Sequence, residues 1–282
     1  MNIVAFLTNN DYPEGSVDDQ PAMEALRRRG VEVVPMVWND SRVTWDSFDA
    51  VIVRSVWDYH LAPDTFSAFL DARTAQRIRF FNPAQLIRWN MDKHYLRDLA
   101  KQGVTIIPSV WVERGQPVSI AEVMRQQNWT EAVIKPTVSA GAWRTFRVRA
   151  DEPLSPDVEA LIAERNVIIQ QFRPEIISEG EWSFVFFDGV YSHAVLKKAK
   201  QGDYRVQGGD YEGIDAPTGL VAQAAAVVQA VDDTPLYARV DGVFVGQQFQ
   251  LMELELFEPW LFLRTHPEAA DRFAEAIVRR LG

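Results

Sequence analysis

The sequence predicts an α/β protein in which an open parallel-sheet N-terminal domain is followed by a larger part of mixed α+β structure. Up to about residue 90, short apolar runs alternate with amphipathic helical segments, as in parallel α/β sheets. Beyond that point, apolar runs separated by short turn signals indicate antiparallel hairpins. The chain has 282 residues, of which 47% are hydrophobic and 24% charged, as expected for a globular protein of two or three subdomains.

The N-terminal elements follow from apolar patterning and from signals at helix ends. The first helix, "SVDDQPAMEALRRRG", has acidic residues in its first turn, arginines in its last turn and Gly30 to end it. A second helix is predicted over "DTFSAFLDARTAQ" and a third over "NMDKHYLRDLAKQG". The predicted strands of this part are "NIVAFL", "VEVVPMVW", "FDAVIVRSV" and "RFFNP".

The later elements are predicted as strands, hairpins and three further helices. The Asp188-Gly189 pair is a strong turn signal inside the hairpin "GEWSFVFFDGVYSHAVLKKAK", and the segment "GDYRVQGGDYEG" is predicted as a long polar loop. The predicted helices are "SIAEVMRQQNW", "PTGLVAQAAAVVQAV" and "HPEAADRFAEAIVRRLG". The other predicted strands are "VTIIPSVWV", "EAVIKP", "FRVRA", "NVIIQQFRP" and the two halves of "YARVDGVFVGQQFQLMELE".

Charge and composition exclude several classes of function. A net charge of −10 argues against nucleic acid or an anionic membrane as the main partner, because both attract basic surfaces. Cysteine is absent, which excludes thiolate catalysis and disulfides and is consistent with a cytoplasmic protein. The start "MNIVAFLTNN" is predicted to be a strand rather than a signal peptide. No serine-hydrolase, zinc-protease or P-loop motif is present, and the four histidines are widely scattered.

The last hairpin carries an unusual set of charges for so apolar a segment. If Gly246, Gln247 and Gln248 form a three-residue turn, then Asp241 lies opposite Glu253 and Arg239 opposite Glu255, all on one face. A two-residue turn would shift the register by one residue and split the acids between faces. Two carboxylates 4 Å apart repel by about 4 kcal/mol at an effective dielectric constant near 20. The pattern therefore favours a bound cation over a merely solvated strand face.

Lysines at the ends of buried strands indicate that an anion binds near these acids. Lys135 follows "AVI" and Lys197 ends "HAVL", and a buried ammonium group needs an anionic partner. The alternative is a structural salt bridge. Two such cations beside carboxylates fit a nucleoside triphosphate with Mg²⁺. At the carboxyl end of an N-terminal strand, where ligands of open α/β sheets gather, we expect substrate contacts from Arg54, Trp57, Asp58 and Tyr59, although the aromatic residues would also fit packing against the sheet.

The order of these segments resembles the ATP-grasp superfamily, in the branch of glutathione synthetase, D-alanine–D-alanine ligase and ribosomal-protein glutamate ligase. The matching segments are "DKHYLRDL", "VIKP", "SAGAWRT", "IIQQF", "GEWSFVFFDG", "AVLKKAKQGDYRVQGG" and "ARVDG…LMELELFEP". The phrases "VRSVWDYH" and "SHAVLKKAKQGDYRVQGG" most resemble the ATP-grasp ligases that close the D-cycloserine ring. The resemblance implies an N-terminal substrate domain over residues 1–89, a lid subdomain over 90–171 and a large subdomain with the metal-binding hairpin over 172–282.

The resemblance also implies a role for individual residues. Lys93 and Lys135 would hold the α- and β-phosphates of ATP, and Lys197 would reach the γ-phosphate. Glu181 would bind the ribose. Backbone amides of the lid would cradle the triphosphate, and the hinge strand would face adenine; these residues are Ser139, Ala140 and Gly141 for the lid and Gln170, Gln171 and Phe172 for the hinge.

The remaining implied roles concern metal and substrate. Arg239 would stabilise the transferring phosphoryl group, and Arg205 would contact the substrate carboxylate or an acyl phosphate, with Gly208 and Gly209 allowing close approach of that loop. Two Mg²⁺ ions would be held by Asp241, Glu253 and Glu255. The family often has Asn where this chain has Glu255, so its direct ligation stays open. Closing lids are expected from residues 137–145 and 201–213.

The resemblance implies an ATP-dependent carboxylate–amine ligase that acts through an acyl phosphate and releases ADP and phosphate. The expected partners are ATP and a small carboxylate or amino acid-like substrate, with neither nucleic acid nor membrane, and a homo-oligomer is left open. By the cycloserine resemblance, the product is cyclic. The alternatives are an ATP-grasp small-molecule kinase and a non-catalytic nucleotide-binding protein.

Overall fold

The N-terminal sheet is parallel, as predicted, and lies between two layers of helices. The computed structural model describes all residues from Met1 to Gly282. The sheet has the strand order β2-β1-β3-β4, with β1 (Ile3–Thr8), β2 (Glu32–Val37), β3 (Ala50–Ser55) and β4 (Phe80–Phe81). Side chains alternate along β1, so that Val4 and Phe6 pack against α1 (Gln20–Arg28), whereas Ala5 and Leu7 face α2 (Pro63–Ala75).

The helix predicted over residues 90–103 is shorter in the structure, where α4 spans Tyr95–Lys101, and a separate helix, α3 (Ala84–Met91), which the sequence analysis missed, precedes it. The helix breaks at Asp92, whose backbone is extended, with φ −113° and ψ 123°. The Asp92 carboxylate accepts a hydrogen bond from the His94 amide at 3.0 Å, and the Lys93 amide donates to Thr137 O at 2.8 Å. The break therefore fixes Lys93 beside Thr137, at the start of the first predicted lid loop.

The second sheet is antiparallel and carries the segments predicted as hinge strand and first lid loop. Its strand order is β5-β8-β6-β7, with β5 (Ser109–Val112), β6 (Glu131–Pro136), β7 (Phe146–Arg149) and β8 (Val167–Gln171). It packs against α5 (Ile120–Gln127) and α6 (Pro156–Glu164), of which α6 was missed by the sequence analysis. The predicted strand "VTIIPSVWV" is only half in this sheet, since residues 105–107 form backbone hydrogen bonds to Leu251 instead.

The third sheet is also antiparallel and holds the charged hairpin. Its order is β11-β10-β9-β12-β13, with β9 (Glu181–Phe187), β10 (Val190–Lys198), β11 (Asp210–Ile214), β12 (Tyr237–Val245) and β13 (Gln248–Glu255). The helices of this part are α7 (Glu175–Ser178), α8 (Thr218–Gln229) and α9 (Ala269–Leu281). The prediction of an irregular loop over 202–213 is wrong at its end, because β11 pairs with β10 there.

The C-terminal helix joins the first and third sheets in one hydrophobic core. Phe273 of α9 stacks on Phe187 of β9 at 4.9 Å between ring centroids and packs against Phe6 of β1 at 6.4 Å. Burial of such aromatic surface stabilises the contact between the two sheets. No helix in the structure has the length and apolar character needed to cross a membrane.

Candidate active site

The second and third sheets border a cavity that collects most of the predicted site residues. The predicted residues that line it are Lys93, Lys135, Ser139, Ala140, Gly141, Gln170, Gln171, Phe172, Glu181, Lys197, Arg205, Arg239, Asp241, Glu253 and Glu255. The predicted substrate residues that do not line it are Arg54, Trp57, Asp58, Tyr59, Gly208 and Gly209. Residues from distant parts of the sequence thus form one site, whereas the predicted substrate residues of segment 54–59 and the two glycines of the second predicted lid loop lie outside its lining.

The charged hairpin has the predicted register but reaches it in a different way. Its turn has two residues, Gly246 and Gln247, and a two-residue turn alone would separate the acids. A β-bulge at Met252 corrects the register, since Gly242 pairs with Leu251 while the preceding Asp241 pairs with Glu253. The predicted facing of Arg239 and Glu255 and of Asp241 and Glu253 is therefore confirmed, whereas the predicted three-residue turn is wrong.

The bulge requires glycine on the opposite strand. A Cβ atom on Gly242 would lie 2.4 Å from Gln250 O and 2.6 Å from the ring of Phe249. Because of the bulge, two consecutive residues, Met252 and Glu253, both line the cavity, which a regular strand would not allow.

One end of the cavity is an apolar slot that the sequence analysis largely missed. Met252, Ile107, Val133 and Phe172 line it, and Gln171 lies on the adjoining edge of β8. Its apolar walls and few polar groups suit a heteroaromatic ring. Val133 was detectable in principle, because it shares the face of β6 with Lys135 two residues later.

Lys135 is buried without a partner inside the protein. It is 9% exposed and lines the cavity, and its ammonium group makes no hydrogen bond or ion pair. Burial lowers the pKa of Lys135, and Glu253 offsets this only in part. Lys93, by contrast, contacts Glu253 at 2.9 Å and donates to Ser139 O at 3.1 Å. A free buried cation in a cavity is the arrangement expected of an anion-binding site.

The acids of the third sheet form a continuous network with basic side chains. Asp241 accepts hydrogen bonds from Ser183 Oγ at 2.6 Å and from Arg239 at 2.8–3.0 Å, and it lies 3.4 Å from Lys197. Lys197 also contacts Glu181. Burial acts to raise the pKa of Asp241, but Arg239 and Lys197 outweigh it and hold the pKa at about 2.

The two glutamates of β13 differ in their electrostatic environments. Burial opposes ionisation of Glu253, but Lys93 and Lys135 outweigh it and lower the pKa of Glu253 to about 2. Burial dominates at Glu255, where neighbouring carboxylates add to it and Arg239 only partly compensates, so that the pKa rises to about 7. Glu253 is therefore the better placed of the two to stay ionised at neutral pH.

The donor set fits Mg²⁺ if phosphate oxygens complete the coordination. No group of three or more acidic or histidine side chains lies close enough together to hold a metal by itself. Asp241 and Glu253 face each other across the hairpin and both are ionised at neutral pH. Mg²⁺ is usually bound by one or two carboxylates together with water and substrate phosphates, rather than by an all-protein cage.

The two predicted lid loops contact each other over the cavity. Tyr204 Oη donates a hydrogen bond to Thr145 O at 3.1 Å. Trp143 in the first loop packs on the ring of His60, 5.1 Å between centroids, which ties the loop to the N-terminal domain. Ala142 and Arg144 both have positive φ, 58° and 49°, which is uncommon for residues other than glycine.

Of the substrate residues predicted in the second lid loop, Arg205 lines the cavity, whereas Gly208 and Gly209 do not. Arg205 lines the cavity and forms an ion pair with Asp203 at 3.1 Å. Gly209 lies outside the lining and packs against the backbone, because a Cβ there would be 2.1 Å from Lys198 O. Gly208 has a φ of 69° and also lies outside the lining. The two glycines shape the loop, and the structure assigns them no position at the cavity.

The structure corrects the prediction that Arg54 contacts the substrate at the cavity. Arg54 is 2% exposed, its Nε donates to Asp19 at 2.8 Å, and its Nη2 donates to Pro259 O at 3.0 Å. These partners leave it buried between the N-terminal domain and the segment after β13, away from the cavity lining. The sequence could not reveal this, because the pairing carboxylate lies 35 residues earlier in a different element.

The three other residues of that loop are also held by internal contacts. Trp57 donates from Nε1 to Glu258 O at 2.9 Å, and Asp58 accepts from Trp38 Nε1 at 2.9 Å. Tyr59 is buried and its hydroxyl donates to Ser139 O at 3.3 Å. The loop therefore supports the lid and the segment after β13 from behind, and it does not line the cavity.

One cavity residue with strong chemistry escaped the sequence analysis. Glu258 follows β13 and lines the cavity with a buried side chain. The signal was present in "ELELFEP", where Glu258 is the third acid of a run that starts at Glu253, but the register of the hairpin does not extend to it.

Comparison with known proteins yields one family and a consistent fold. A family model described as "D-cycloserine synthetase DcsG, N-terminal domain" matches residues 4–82. The cycloserine biosynthesis protein DcsG of Streptomyces lavendulae is 34% identical over 299 aligned residues, covering 100% of this chain and 99% of the relative. The crystal structure of D-cycloserine synthetase DcsG is similar with a TM-score of 0.88, at 32% identity and 100% coverage of both chains. A D-alanine–D-alanine ligase from Bacillus anthracis, complexed with ATP, shares the fold with a TM-score of 0.73 at 14% identity, covering 100% of this chain and 97% of the other.

Proposed function

The chain belongs to the DcsG family of ATP-grasp ligases, and from this membership we propose that it closes a small amino acid derivative to a cyclic product of the cycloserine type. In this proposal ATP activates the carboxylate of the substrate, and a nitrogen of the same molecule attacks the activated carbonyl. ADP and phosphate are released. The ligase class follows from the family, and the substrate, the intermediate and the product are the proposed part.

The observation that carries the nucleotide part is the unpartnered Lys135 at the end of the apolar slot. Its buried ammonium lies in the same cavity as Lys93 and Lys197, and the slot would take the adenine ring. A polyanionic triphosphate would supply the charge that Lys135 lacks, with hydrogen bonds to charged groups contributing about 1.5–3 kcal/mol each. Gln170 is fixed in the hinge strand by its hydrogen bond to Ser109 Oγ at 3.1 Å.

Asp241 and Glu253 would hold Mg²⁺ beside the phosphates, with Glu255 as a further candidate. When bound, Mg²⁺ would neutralise phosphate oxygens and fix their orientation. The lysines that now pair with these acids, Lys93 and Lys197, would then be free to contact phosphate oxygens. Each lysine–carboxylate pair of the cavity would thus be replaced by a lysine–phosphate contact and a carboxylate–metal contact.

The reaction needs positioning and charge neutralisation more than it needs a protein nucleophile. The substrate carboxylate would attack the γ-phosphorus of ATP, ADP would leave, and the nitrogen would then displace phosphate from the acyl phosphate with loss of a proton. Arg239, which is held on β12 by Asp241, would stabilise the charge that develops on the transferring group. The contact of Tyr204 with the Thr145 carbonyl would help to exclude water from the acyl phosphate.

The test is ADP release from Mg-ATP measured across a panel of amino acids and their ureido and hydroxyamino derivatives. We expect substrate-dependent ADP release, and trapping of the intermediate as a hydroxamate when hydroxylamine is added. ADP release with transfer of phosphate to a hydroxyl group, without hydroxamate, would instead indicate a kinase. Nucleotide binding without ADP release from any member of the panel would indicate a non-catalytic protein.

A further inference from the structure

Glu258 is the one acid of the cavity whose carboxylate has no partner in the protein. It is 8% exposed and lines the cavity, and it forms no side-chain hydrogen bond or ion pair. The four other acids that line the cavity each contact a basic side chain: Glu181 and Asp241 contact Lys197, Glu253 contacts Lys93, and Glu255 contacts Arg239. The absence of a partner is therefore specific to Glu258.

The position of Glu258 is fixed by the surrounding backbone contacts. Its carbonyl accepts a hydrogen bond from Trp57 Nε1 at 2.9 Å, and the next two carbonyls accept from Arg54 and Arg239 at 3.0 and 2.9 Å. Asp18 then accepts hydrogen bonds from the amides of residues 261, 262 and 263 at 2.6–3.1 Å. Because both sides of the segment are held, the unpaired carboxylate belongs to a preorganised site rather than to a loose loop.

A buried carboxylate without a counterion is unfavourable in the free protein. Burial raises the pKa of Glu258 well above its usual value, and repulsion from Glu255 and Glu253 adds to this, while Lys93 and Arg239 compensate only in part. Such a group gains more from an arriving cation than a solvated carboxylate does, since the cost of desolvation is already included in the fold.

The cation that suits Glu258 is an ammonium group rather than a metal ion. No three acidic side chains, Glu258 included, lie close enough together for metal coordination. Two half-buried indoles, Trp57 and Trp260, stack at 5.8 Å between centroids, and Trp57 Nε1 donates to the Glu258 carbonyl, so that they hold this segment from outside the cavity lining. A single carboxylate is a sufficient partner for an organic ammonium group, whereas hydrated Mg²⁺ prefers several oxygen ligands.

We propose that Glu258 binds the α-ammonium group of the amino acid substrate and thereby selects amino acids over carboxylic acids that lack this group. The inference rests on the function proposed above and adds the residue that determines substrate class. Glu258 would fix the ammonium end of the molecule, so that its carboxylate lies toward the phosphate-binding end of the same cavity.

The experiment compares two ligands that differ only in the amino group. D-Cycloserine and isoxazolidin-3-one, its deaminated analogue, are titrated calorimetrically into the protein with Mg-ADP present. The proteins are wild type, Glu258→Gln and the exposed control Glu24→Gln. Wild type and control should prefer D-cycloserine by about 10- to 100-fold, the equivalent of one charged hydrogen bond. Glu258→Gln should lose this preference, bind Mg-ADP with unchanged affinity and melt at the wild-type temperature or above.

Several results would overturn the proposal. Equal affinity of the wild type for both ligands would do so, and that measurement does not depend on whether the variant folds. A preference retained in Glu258→Gln would do so as well, and an increased Mg²⁺ requirement together with that preference would identify Glu258 as a metal ligand instead. Binding of neither ligand to the wild type counts against the proposed cycloserine-type product, and the inference then falls with it. ADP release in the substrate panel tests the ligase function separately.

Discussion

Replacing Asp19 by asparagine tests whether the buried Arg54 pair is structural. Asp19 is 1% exposed and accepts hydrogen bonds from Arg54 Nε at 2.8 Å, from Ser55 Oγ at 2.5 Å and from Ser16 Oγ at 2.6 Å. Asparagine keeps the size of the side chain and one acceptor oxygen but removes the charge. The Arg54 guanidinium, 2% exposed, would then lie in the interior with only the more distant Asp18, 4.0 Å away, to compensate.

The expected loss of stability is large because the variant leaves a buried charge without its partner. Removing one member of a buried ion pair costs about 3–5 kcal/mol. The distance of 4.0 Å to Asp18 allows partial compensation, so we expect a value of about 3 kcal/mol. For a chain of this size that corresponds to a melting temperature lower by roughly 6–12 °C.

The assay is thermal unfolding followed by circular dichroism, with Asp40→Asn as the matched control. Asp40 also pairs with an arginine, Arg42, at 2.7 Å, but the Arg42 side chain is 88% exposed, so its loss should leave the melting temperature unchanged. The double variant Asp19→Leu with Arg54→Met should recover most of the lost stability, because no charge is left unpaired. Equal melting temperatures for Asp19→Asn and Asp40→Asn would refute the structural role of the pair. Arg54 would then again be a candidate for contact with the substrate.

Three further predictions concern the cavity and the third sheet. Asp241→Asn or Glu253→Gln should abolish Mg²⁺-dependent ADP release without altering the circular dichroism spectrum; a variant with the normal rate would count against metal binding by these residues. Lys135→Met should bind ATP at least about 10-fold more weakly by calorimetry yet unfold no earlier than wild type, because Lys135 has no partner to lose, and unchanged affinity would remove it from the site. Burial lowers the pKa of His193 from 6.5 to about 4, so the folded protein binds fewer protons than the unfolded chain between these values. Stability should therefore fall by about 3 kcal/mol more in wild type than in His193→Gln as the pH decreases through this range, and parallel urea-unfolding profiles would contradict this.

Periodicity and residue type predicted those parts of the site that depend on local rules. The facing of Asp241 and Glu253 followed from strand alternation, and the buried position of Lys135 followed from the apolar run before it. The turn was wrong, yet the register was right, because the bulge at Met252 added the residue that the shorter turn had removed. A bulge leaves little local signal, although Gly242 on the opposite strand was a hint in retrospect.

What the sequence could not supply were pairings between residues far apart in the chain. Arg54 and Lys135 carry the same local signal, a basic residue directly after a buried apolar strand. Arg54 meets Asp19 in the interior, whereas Lys135 meets nothing and faces the cavity. Only the tertiary structure distinguishes a basic residue that is paired inside the protein from one that is left unpaired at the cavity. The same distinction separates Glu258 from the paired acids around it.

Under the proposed function, the pairing pattern predicts that nucleotide and metal bind interdependently. Lys93 is now neutralised by Glu253, and Lys197 by Glu181 and Asp241. ATP alone would draw the lysines away and leave these carboxylates buried without cations, and Mg²⁺ alone would leave the lysines without anions. Only the two together replace every pair that is broken, so each should bind much more tightly in the presence of the other.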